Sequence, residues 1–399
     1  DIAKNEEERP SLIICRTIIG YGSPNKANTS GVHGEPLGTD ETILTKQQLG
    51  WQTEDAFSVP DEVRSHFVSL VTRGNELQEN WNDLISKYSE VFPDEARTLK
   101  SELAGQIPDG WDNDLDNLFD TSVTSMSTRD AGGKVMNSIS EKVQMLVGGS
   151  ADLAPSTKTI LNNRGHFSRE DYAGGNFHFG VREHAMGAVA NGMALHGGAI
   201  PYTATFLLFS DYMRPPMRLA AMMGLRVIYI FTHDSIGLGQ DGPTHQPIEQ
   251  LLSLRAIPNI VVLRPADATE TVEAWKIAVN RENGPTVIVL SRQNLPILDR
   301  NHFGPVAGVQ KGAYILQDTD GPPQAIIIST GSEIEIALKA AELLKNEGTS
   351  ARVVSMPSWE IFESQSAEYQ EEVLPRKIKA RVSIEASSKL GWERYVASD

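Results

Sequence analysis

Side chains capable of chemistry are densest between Thr232 and Pro247. These sixteen residues include two histidines, two aspartates, three glycines and two prolines, a density that no packing role requires. The glycines let the backbone approach a ligand closely, and His233 and His245 can donate to phosphate or exchange protons near neutral pH. The two histidines are twelve residues apart with no cysteine nearby, so phosphate and sugar contacts are favoured over a metal site. A plain surface turn is the alternative.

A carboxyl group and three aromatic rings follow two other predicted strands. Glu183 begins a predicted helix after a short strand, at the kind of turn where open α/β sheets bind ligands. Its alternative role is to stabilise the positive end of that helix. Phe206, Phe209 and Tyr212 are three residues apart, so their rings share one face if the segment is helical. Such a face can stack on a flat heteroaromatic ring, although an aromatic stripe is also typical of a core.

Two arginines lie at the edges of predicted elements. Arg129 follows residues 125–128, and Arg292 directly follows the predicted strand 286–290. A guanidinium fork suits a terminal phosphate, although a single arginine is more often a solvated surface charge. Ser156 and His33 lie in Gly- and Pro-rich contexts. The sequence contains no nucleophile elbow, Walker loop, zinc spacing or dinucleotide glycine fingerprint, which excludes the commoner enzyme classes.

The elements around these residues alternate between short apolar runs and helical patterns. This alternation predicts an α/β fold with a mostly parallel sheet covered by helices on both faces. The predicted strands are 144–147, 199–205, 225–231, 260–263 and 286–290. A smaller α/β domain is predicted from residue 312, with a strand at 325–329, a helix at 332–345 and strands at 351–356 and 381–385.

The region before residue 106 has a different pattern. It begins with a predicted buried strand at 11–19 that contains Cys15, interpreted as a buried thiol. A Gly-rich loop at 20–40 and amphipathic helices at 61–88 and 94–104 follow. Linkers rich in Gly, Pro, Asp and Asn are predicted at 105–120 and 299–312. We therefore predict three domains, at 1–105, 106–311 and 312–399.

Charge and composition limit the partners and the compartment. The net charge of -16 disfavours nucleic acid and anionic membranes, because a broad negative field repels polyphosphate surfaces. A single cysteine cannot form an internal disulfide, which favours a reducing compartment. No stretch approaches the roughly 18 apolar residues of a membrane span. The chain opens without Met and soon enters a predicted strand, so we expect an upstream part to be missing.

Seven segments, in the same order, resemble the transketolases, and the likeness extends over essentially the whole chain. They are VHGEPLG at 32–38, STR at 127–129, DLAPS at 152–156, GVREHAMG at 180–187, YTATF at 202–206, residues 233–247 and LSRQNLP at 290–296. The resemblance implies reversible transfer of a two-carbon ketol unit from a ketose phosphate to an aldose phosphate through thiamine diphosphate. It also implies a chain that begins near the end of the diphosphate-binding domain and lacks the extreme C-terminus. Its three domains would be the remainder of the diphosphate-binding domain, the pyrimidine-binding domain and an incomplete C-terminal domain.

The resemblance assigns roles to the residues described above. Glu183 matches the acid that hydrogen-bonds the aminopyrimidine nitrogen, a role that needs a protonated carboxyl group, which a dry pocket favours. Phe206, Phe209 and Tyr212 match the aromatic wall around the pyrimidine, and Asp152 matches a further cofactor contact. The implied catalytic residues are Glu183, His245 and His33, and His33 also matches a cofactor contact. The implied substrate-binding residues are His33, Arg129, Ser156, His233, Asp241, His245 and Arg292.

Two departures from the family pattern qualify these implications. The Gly-Asp-Gly motif that binds the diphosphate and its Mg²⁺ or Ca²⁺ is absent, so metal ligands are expected outside this chain. Gln240 stands where many members have Glu. The family site forms between two subunits, which implies a homodimer that handles sugar phosphates in the cytoplasm or plastid stroma, and this chain alone is expected to be incomplete. A 1-deoxyxylulose-5-phosphate synthase-like enzyme and a non-catalytic dimerisation or cofactor-half module are the alternatives.

Overall fold

The computed structural model describes residues 1–51, 53, 55–119 and 122–396 of the 399-residue chain, which forms two compact units, 1–93 and 94–399. Residues 120 and 121, which are the last residue of the linker predicted at 105–120 and the residue after it, lie outside the described residues. So do residues 397–399, the end of the predicted third domain. The three predicted domain boundaries stay a prediction.

The first unit is helical where it is regular. It contains α1 (Thr39–Gln48) and α2 (Asp61–Val91), with a 3-10 turn at Ser30–Val32. Helix α2 follows Pro60 and has two acids in its first turn, where they complement the helix dipole. The predicted helix at 61–88 is confirmed and extends three residues further.

The predicted buried strand at 11–19 is wrong. This segment forms no strand, Leu12 and Ile14 are 84% and 85% exposed, and Cys15 is exposed rather than a buried thiol. An extended segment needs neighbouring strands to pair its backbone groups. The described residues of the first unit contain no strand that could serve.

The second unit begins within α3 (Pro93–Leu103), at residue 94, and contains two larger sheets and a two-stranded ribbon. The elements of its larger part are β1 (Ser125–Ser127), α4 (Thr128–Lys142), β2 (Leu146–Ser150), α5 (Ala154–Thr157), β3 (Asn176–His178), α6 (Glu183–His196), β4 (Ile200–Phe206), α7 (Ser210–Met222), β5 (Ile228–Thr232), α8 (Gln250–Arg255), β6 (Val261–Leu263), α9 (Ala268–Asn280), β7 (Thr286–Leu290) and β8 (Asn294–Pro296). The smaller part contains β9 (Tyr314–Gln317), β10 (Ala325–Ser329), α10 (Ile334–Asn346), β11 (Ala351–Ser355), α11 (Trp359–Glu363), α12 (Ala367–Val373) and β12 (Arg381–Ile384).

Six strands form a parallel sheet in the order β3-β2-β4-β5-β7-β6. Alternate residues of each strand face opposite sides. Ile228 and Ile230 of β5 pack with α4 and α9, whereas Tyr229 and Phe231 pack with α6, α7 and α8. Both faces are therefore covered, which confirms the predicted fold class. Because the strands are parallel, their carboxyl ends meet at one edge of the sheet.

The smaller sheet has the order β12-β10-β11-β9, with β9 antiparallel to its neighbour and the other pairs parallel. Ile327 packs under α10, and Ile326 and Ile328 pack on the opposite side with Trp359 and Phe362 of α11. This arrangement confirms the smaller α/β fold predicted for the C-terminal part of the chain, while its start at residue 312 stays a prediction.

The predicted linker at 105–120 is partly a packed segment. Within its described residues, up to 119, Trp111 and Leu115 are buried in the core that lies under α4 and α9. Two apolar side chains in a polar stretch thus attach the segment to the large sheet.

Candidate active site

A cavity of about 400 Å³ is lined by residues at or after the carboxyl ends of β2, β4, β5 and β7 of the large sheet and by Arg129, which follows β1. It contains seven of the side chains predicted from the sequence and two that were not. The predicted members are Arg129, Ser156, Phe206, His233, Asp241, His245 and Arg292, and the others are Pro155 and Lys158.

A two-stranded antiparallel ribbon positions the two arginines of the cavity. Strand β1 pairs with β8, and the hydroxyl groups of Thr128 and Ser291 are 3.1 Å apart beside it. The Arg129 amide also donates to the Ser291 carbonyl at 3.3 Å. These bonds hold the start of α4 against the end of β7, so Arg129 and Arg292 lie on the same cavity.

Arg129 is held as a partly buried cation. Its Nη1 donates to the Ser156 carbonyl at 2.9 Å, and its buried Nε has no hydrogen-bond partner among the described residues. Burial lowers the pKa of Arg129 and the charge of Arg292 lowers it further, against the opposing pull of Asp130. A buried donor beside a second cation is suited to an anionic group such as a phosphate.

His233 lies at the base of the cavity, directly after β5. Its backbone is left-handed, with φ of +60°, and its Nδ1 lies 2.9 Å from the Thr232 hydroxyl oxygen. Its ring stacks on Phe206 with 3.7 Å between ring centroids. Burial, followed by the charge of Arg129, lowers the pKa of His233 to about 4, although Asp241 opposes the shift. The imidazole is therefore neutral at pH 7 and able to donate or accept a hydrogen bond.

Asp241 is shared between two neighbours. One of its carboxylate oxygens lies 3.7 Å from Nε2 of His233 and 3.8 Å from Nε of Arg292. Arg292 also donates to the Leu238 carbonyl at 3.1 Å, which ties it to the same loop. The carboxylate thus supplies an acceptor for a hydroxyl group between a neutral imidazole and a guanidinium group.

His245 closes the aromatic side of the cavity. Its Nδ1 is 3.0 Å from the Thr244 hydroxyl, and its ring meets Phe209 edge-on, with centroids 5.5 Å apart. It also lies 5.9 Å from the Phe206 ring. One imidazole nitrogen is therefore fixed locally, which leaves Nε2 for a ligand.

Glu183 is the first residue of α6 and is 7% exposed. Its carboxyl group accepts a 3.3 Å hydrogen bond from the Thr205 hydroxyl. Thr205 directly precedes Phe206, so the acid lies behind the aromatic side of the cavity. The position also agrees with the helix-dipole alternative, and the two roles are compatible.

The three aromatic rings come together, but not on one helix. Phe206 ends β4, Phe209 ends a 3-10 turn at Leu207–Phe209, and Tyr212 lies in the first turn of α7. The rings of Phe206 and Phe209 are stacked 5.8 Å apart at 16°, and Tyr212 lies 6.1 Å beyond. The strand-to-helix turn thus produces the shared face that a helix was expected to give.

Two predicted residues, Asp152 and His33, are not among the lining residues of this cavity. Asp152 follows β2 in a left-handed conformation, with φ of +62°, and its side chain is exposed. His33 belongs to the first unit, where it is exposed and its amide caps the turn at Ser30–Val32 by donating to Ser30 at 3.0 Å.

Lys158 was missed by the sequence analysis. It lies in the cavity lining with φ of +61°, and its Nζ is 3.6 Å from an Asp130 carboxylate oxygen. Its sequence position could have indicated this role, because Lys158 is a cation two residues after Ser156, the end of the DLAPS segment. It raises the positive charge around the cavity.

The described residues show no metal centre and no membrane helix. No group of three or more His, Cys, Asp or Glu side chains among them is arranged to hold a metal ion. Likewise, no helix within the described ranges has the length and apolar character needed to cross a bilayer.

Three family models together match most of the chain. The transketolase thiamine diphosphate binding domain matches residues 1–108, the transketolase pyrimidine binding domain matches 124–297, and the transketolase-like C-terminal domain matches 312–399. Domains of the kind that bind thiamine diphosphate are therefore present.

Relatives and solved structures agree with these matches. A transketolase of Halalkalibacterium halodurans is 50% identical over 392 residues, which are 98% of this chain and 59% of that protein. The transketolase structure from Leishmania mexicana has a TM-score of 0.91 at 39% identity over 99% of this chain and 58% of its own. A structure described as a split gene transketolase, inactive beta4 tetramer, has a TM-score of 0.53 at 30% identity and covers 67% of this chain and 82% of its own. The chain spans about three fifths of the full-length relatives it matches, and it belongs to the transketolase family.

Proposed function

We propose that this chain supplies the pyrimidine side and the sugar-phosphate cavity of a transketolase site. The reaction is the reversible transfer of a two-carbon ketol unit from a ketose phosphate to an aldose phosphate. The observation that carries the proposal is the convergence of two arginines, two histidines and an aspartate on one cavity with an aromatic wall. A buried acid adjoins that wall through Thr205.

The residues present fit thiamine diphosphate. Within the described part of the chain, the Glu183 carboxyl group accepts one hydrogen bond, from Thr205, which leaves its second oxygen for a ring nitrogen of the pyrimidine. Phe206 and Phe209 are stacked and Tyr212 is tilted beside Phe209, so the three rings offer an aromatic wall for that ring. When bound, the cofactor supplies the carbanion chemistry that breaks and forms the carbon-carbon bond. Asp152 is proposed as a further, outer contact.

Substrate binding is assigned to the charged end of the cavity. Arg129 and Arg292 bind the phosphate by charge-assisted hydrogen bonds, and neutral His233 donates a further one. Asp241 accepts from a sugar hydroxyl. His245, near the aromatic wall, moves a proton at the reacting carbon or its hydroxyl. Ser156 completes the set, and the substrate contact of His33, a residue of the first unit, stays a separate proposal.

The metal and the partner are proposed on separate grounds. Mg²⁺ or Ca²⁺ is expected to use ligands outside this chain, because no Gly-Asp-Gly occurs in the 399 residues. A homodimer is supported by the outer faces of α6 and α7, where Val189, Leu195, Leu219, Met222 and Met223 are exposed. An apolar surface of this kind favours a protein partner. Location in the cytoplasm or plastid stroma stays a prediction.

A second candidate function is a non-catalytic cofactor-half module. The absence of the diphosphate motif favours it, as does the likeness to a chain whose description is an inactive tetramer. Tight binding of thiamine diphosphate and Mg²⁺ by this chain alone, measured by calorimetry, would contradict that candidate.

The test of activity joins this chain to the part of the Halalkalibacterium halodurans transketolase that it does not match. With thiamine diphosphate, Mg²⁺, xylulose 5-phosphate and ribose 5-phosphate, we expect ketol transfer. Glu183→Gln should abolish the transfer, because the amide keeps the shape but cannot supply a proton, whereas Glu170→Gln on an exposed loop should not. Near-normal rates for Glu183→Gln would refute the assignment. Formation of deoxyxylulose phosphate from pyruvate would favour the synthase-like alternative.

A further inference from the structure

Arg264 is a fully buried cation, with 0% exposure, placed just after β6. Its guanidinium group contacts two parts of the second unit. On one side, Nε and Nη2 donate to one carboxylate oxygen of Asp234 at 3.1 and 2.7 Å. Asp234 is the residue after His233, so Arg264 contacts the chain neighbour of a residue that lines the cavity.

The other side of Arg264 faces the C-terminal domain. Nη1 donates to the carbonyl and hydroxyl oxygens of Thr330 at 3.2 and 3.0 Å and to the Glu333 carboxylate, and Nη2 donates to Ser332 at 3.2 Å. The backbone is fixed too, because the Gly331 amide donates to the Arg264 carbonyl at 3.1 Å. One side chain thus connects the turn before α10 to the loop after β5.

This connection bears on a strained residue. His233 has a left-handed backbone, which a residue with a side chain adopts at a cost, and the surrounding structure must hold it there. Asp234 is buried and its carboxylate is bonded to Arg264 on one oxygen and lies 3.4 Å from the Ser235 hydroxyl on the other. Anchoring the next side chain in this way fixes where the His233 ring points.

The cavity lining comes entirely from residues 129–292, so within the described residues the C-terminal domain contributes no side chain to it. The C-terminal domain can therefore affect the site only indirectly.

Burial by itself lowers the pKa of Arg264, but the carboxylates of Glu333 and Asp234 outweigh burial and raise it, so the guanidinium stays charged at every relevant pH. The arginine side of the bridge is therefore always charged, whereas burial raises the pKa of its partner Asp234 against the opposing pull of Arg264.

We infer that Arg264 is a positioning residue that clamps Asp234, holds His233 in its left-handed conformation in the cavity, and so makes the sugar-phosphate site depend on the C-terminal domain. The ligand named in this inference, a sugar phosphate, rests on the proposed function, whereas the contacts of Arg264 do not. Lysine cannot replace the arginine, because an ammonium group lacks the planar fork that reaches both sides at once.

The test uses this chain with Arg264→Lys, and Arg300→Lys as the matched control. Arg300 also forms an ion pair, partly buried, at 2.9 Å with Asp267, and donates to Tyr314 of the smaller sheet at 2.9 Å, but it is not part of the cavity lining. Both variants should lower thermal stability. Only Arg264→Lys should weaken ribose 5-phosphate binding in calorimetry, by about tenfold.

The second readout is the titration of the His233 ring, followed by NMR. In the parent chain its midpoint should lie near 4, and in Arg264→Lys it should move toward the ordinary histidine value as the ring leaves its buried position beside Arg129 and Arg292. Arg300→Lys should leave it in place. Equal changes in both variants, or none in either, would overturn the positioning role. Because this titration needs no ligand, it also stands if the parent chain fails to bind ribose 5-phosphate, a result that would count against the proposed function.

Discussion

Replacing Arg292 by alanine should selectively weaken phosphorylated ligands. A hydrogen bond to a charged group contributes about 1.5 to 3 kcal/mol. The Arg292 side chain is 34% exposed and has a carboxylate 3.8 Å from its Nε, so solvent and Asp241 both reduce its pull on a phosphate. We therefore expect the lower value of this range for Arg292, about 1.5 kcal/mol, which corresponds to roughly a tenfold rise in the Kd of the phosphorylated ligand.

A second effect adds to this loss. Without Arg292, the Asp241 carboxylate keeps only neutral His233 at 3.7 Å and no cation at comparable distance in the described cavity. An unneutralised carboxylate repels an incoming phosphate. Arg292→Ala should therefore cost more than tenfold, and adding Asp241→Asn to it should recover part of the affinity.

The assay is calorimetric titration with ribose 5-phosphate and with ribose, side by side. Arg169→Ala is the control, because Arg169 is exposed and makes no contact with the cavity lining. We expect Arg292→Ala to raise the Kd of the phosphate ester while leaving that of the free sugar within about twofold. An equal loss for both ligands would refute the phosphate assignment. Full affinity in the double variant would instead show that the repulsion by Asp241 dominates.

Two further predictions concern the fold and its response to pH. Because the folded pKa of His233, about 4, lies below the ordinary value of about 6.5, the unfolded chain binds a proton that the folded chain does not. The free energy of unfolding should fall as pH drops from about 6.5 toward 4, and urea titrations at pH 7 and 5 should show a smaller fall in His233→Gln. Gly149→Ala should destabilise the second unit by about 3 kcal/mol, since the new Cβ would lie 1.8 Å from the Phe177 carbonyl oxygen. Gly321→Ala, with no atom within 4 Å, should change stability by less than about 0.5 kcal/mol in the same urea titration.

The large sheet could be predicted because its strands are short apolar runs separated by helical periods. The strand at 286–290 was predicted to the residue, but the strand predicted at 225–231 begins three residues before β5 and ends one residue before it. Leu225 and Val227 are buried in the core without belonging to the strand. Hydrophobicity reports burial, and it locates backbone pairing only approximately.

The same limit explains the error at 11–19. An apolar run indicates a surface that favours burial, but whether it becomes a strand depends on partners elsewhere in the chain. None is present among the described residues of the first unit. Cys15 is exposed for the same reason.

For the site, local sequence identified residues but not their grouping. Arg129 and Arg292 were each ambiguous, since a lone arginine is usually a surface charge. Their proximity depends on Thr128 and Ser291, hydrogen-bonded partners separated by 163 positions, and no local pattern reports such a contact. Order along the chain could suggest that both follow strand ends, but only the β1–β8 ribbon brings them to one cavity.

Residues that contact a ligand are easier to recognise in a sequence than the residues that position those contact residues. His233 and Asp241 stand out because they lie in a Gly- and Pro-rich loop after a strand, where polar side chains have no packing role. Arg264 has an ordinary context, one arginine after an apolar run, although it is among the most buried charges of the chain. Its importance arises from acids located 30 residues before it and 69 after it. Burying a cation costs free energy unless both acids are in place. The stability of the site therefore depends on side chains from two domains, and composition and spacing do not reveal that dependence.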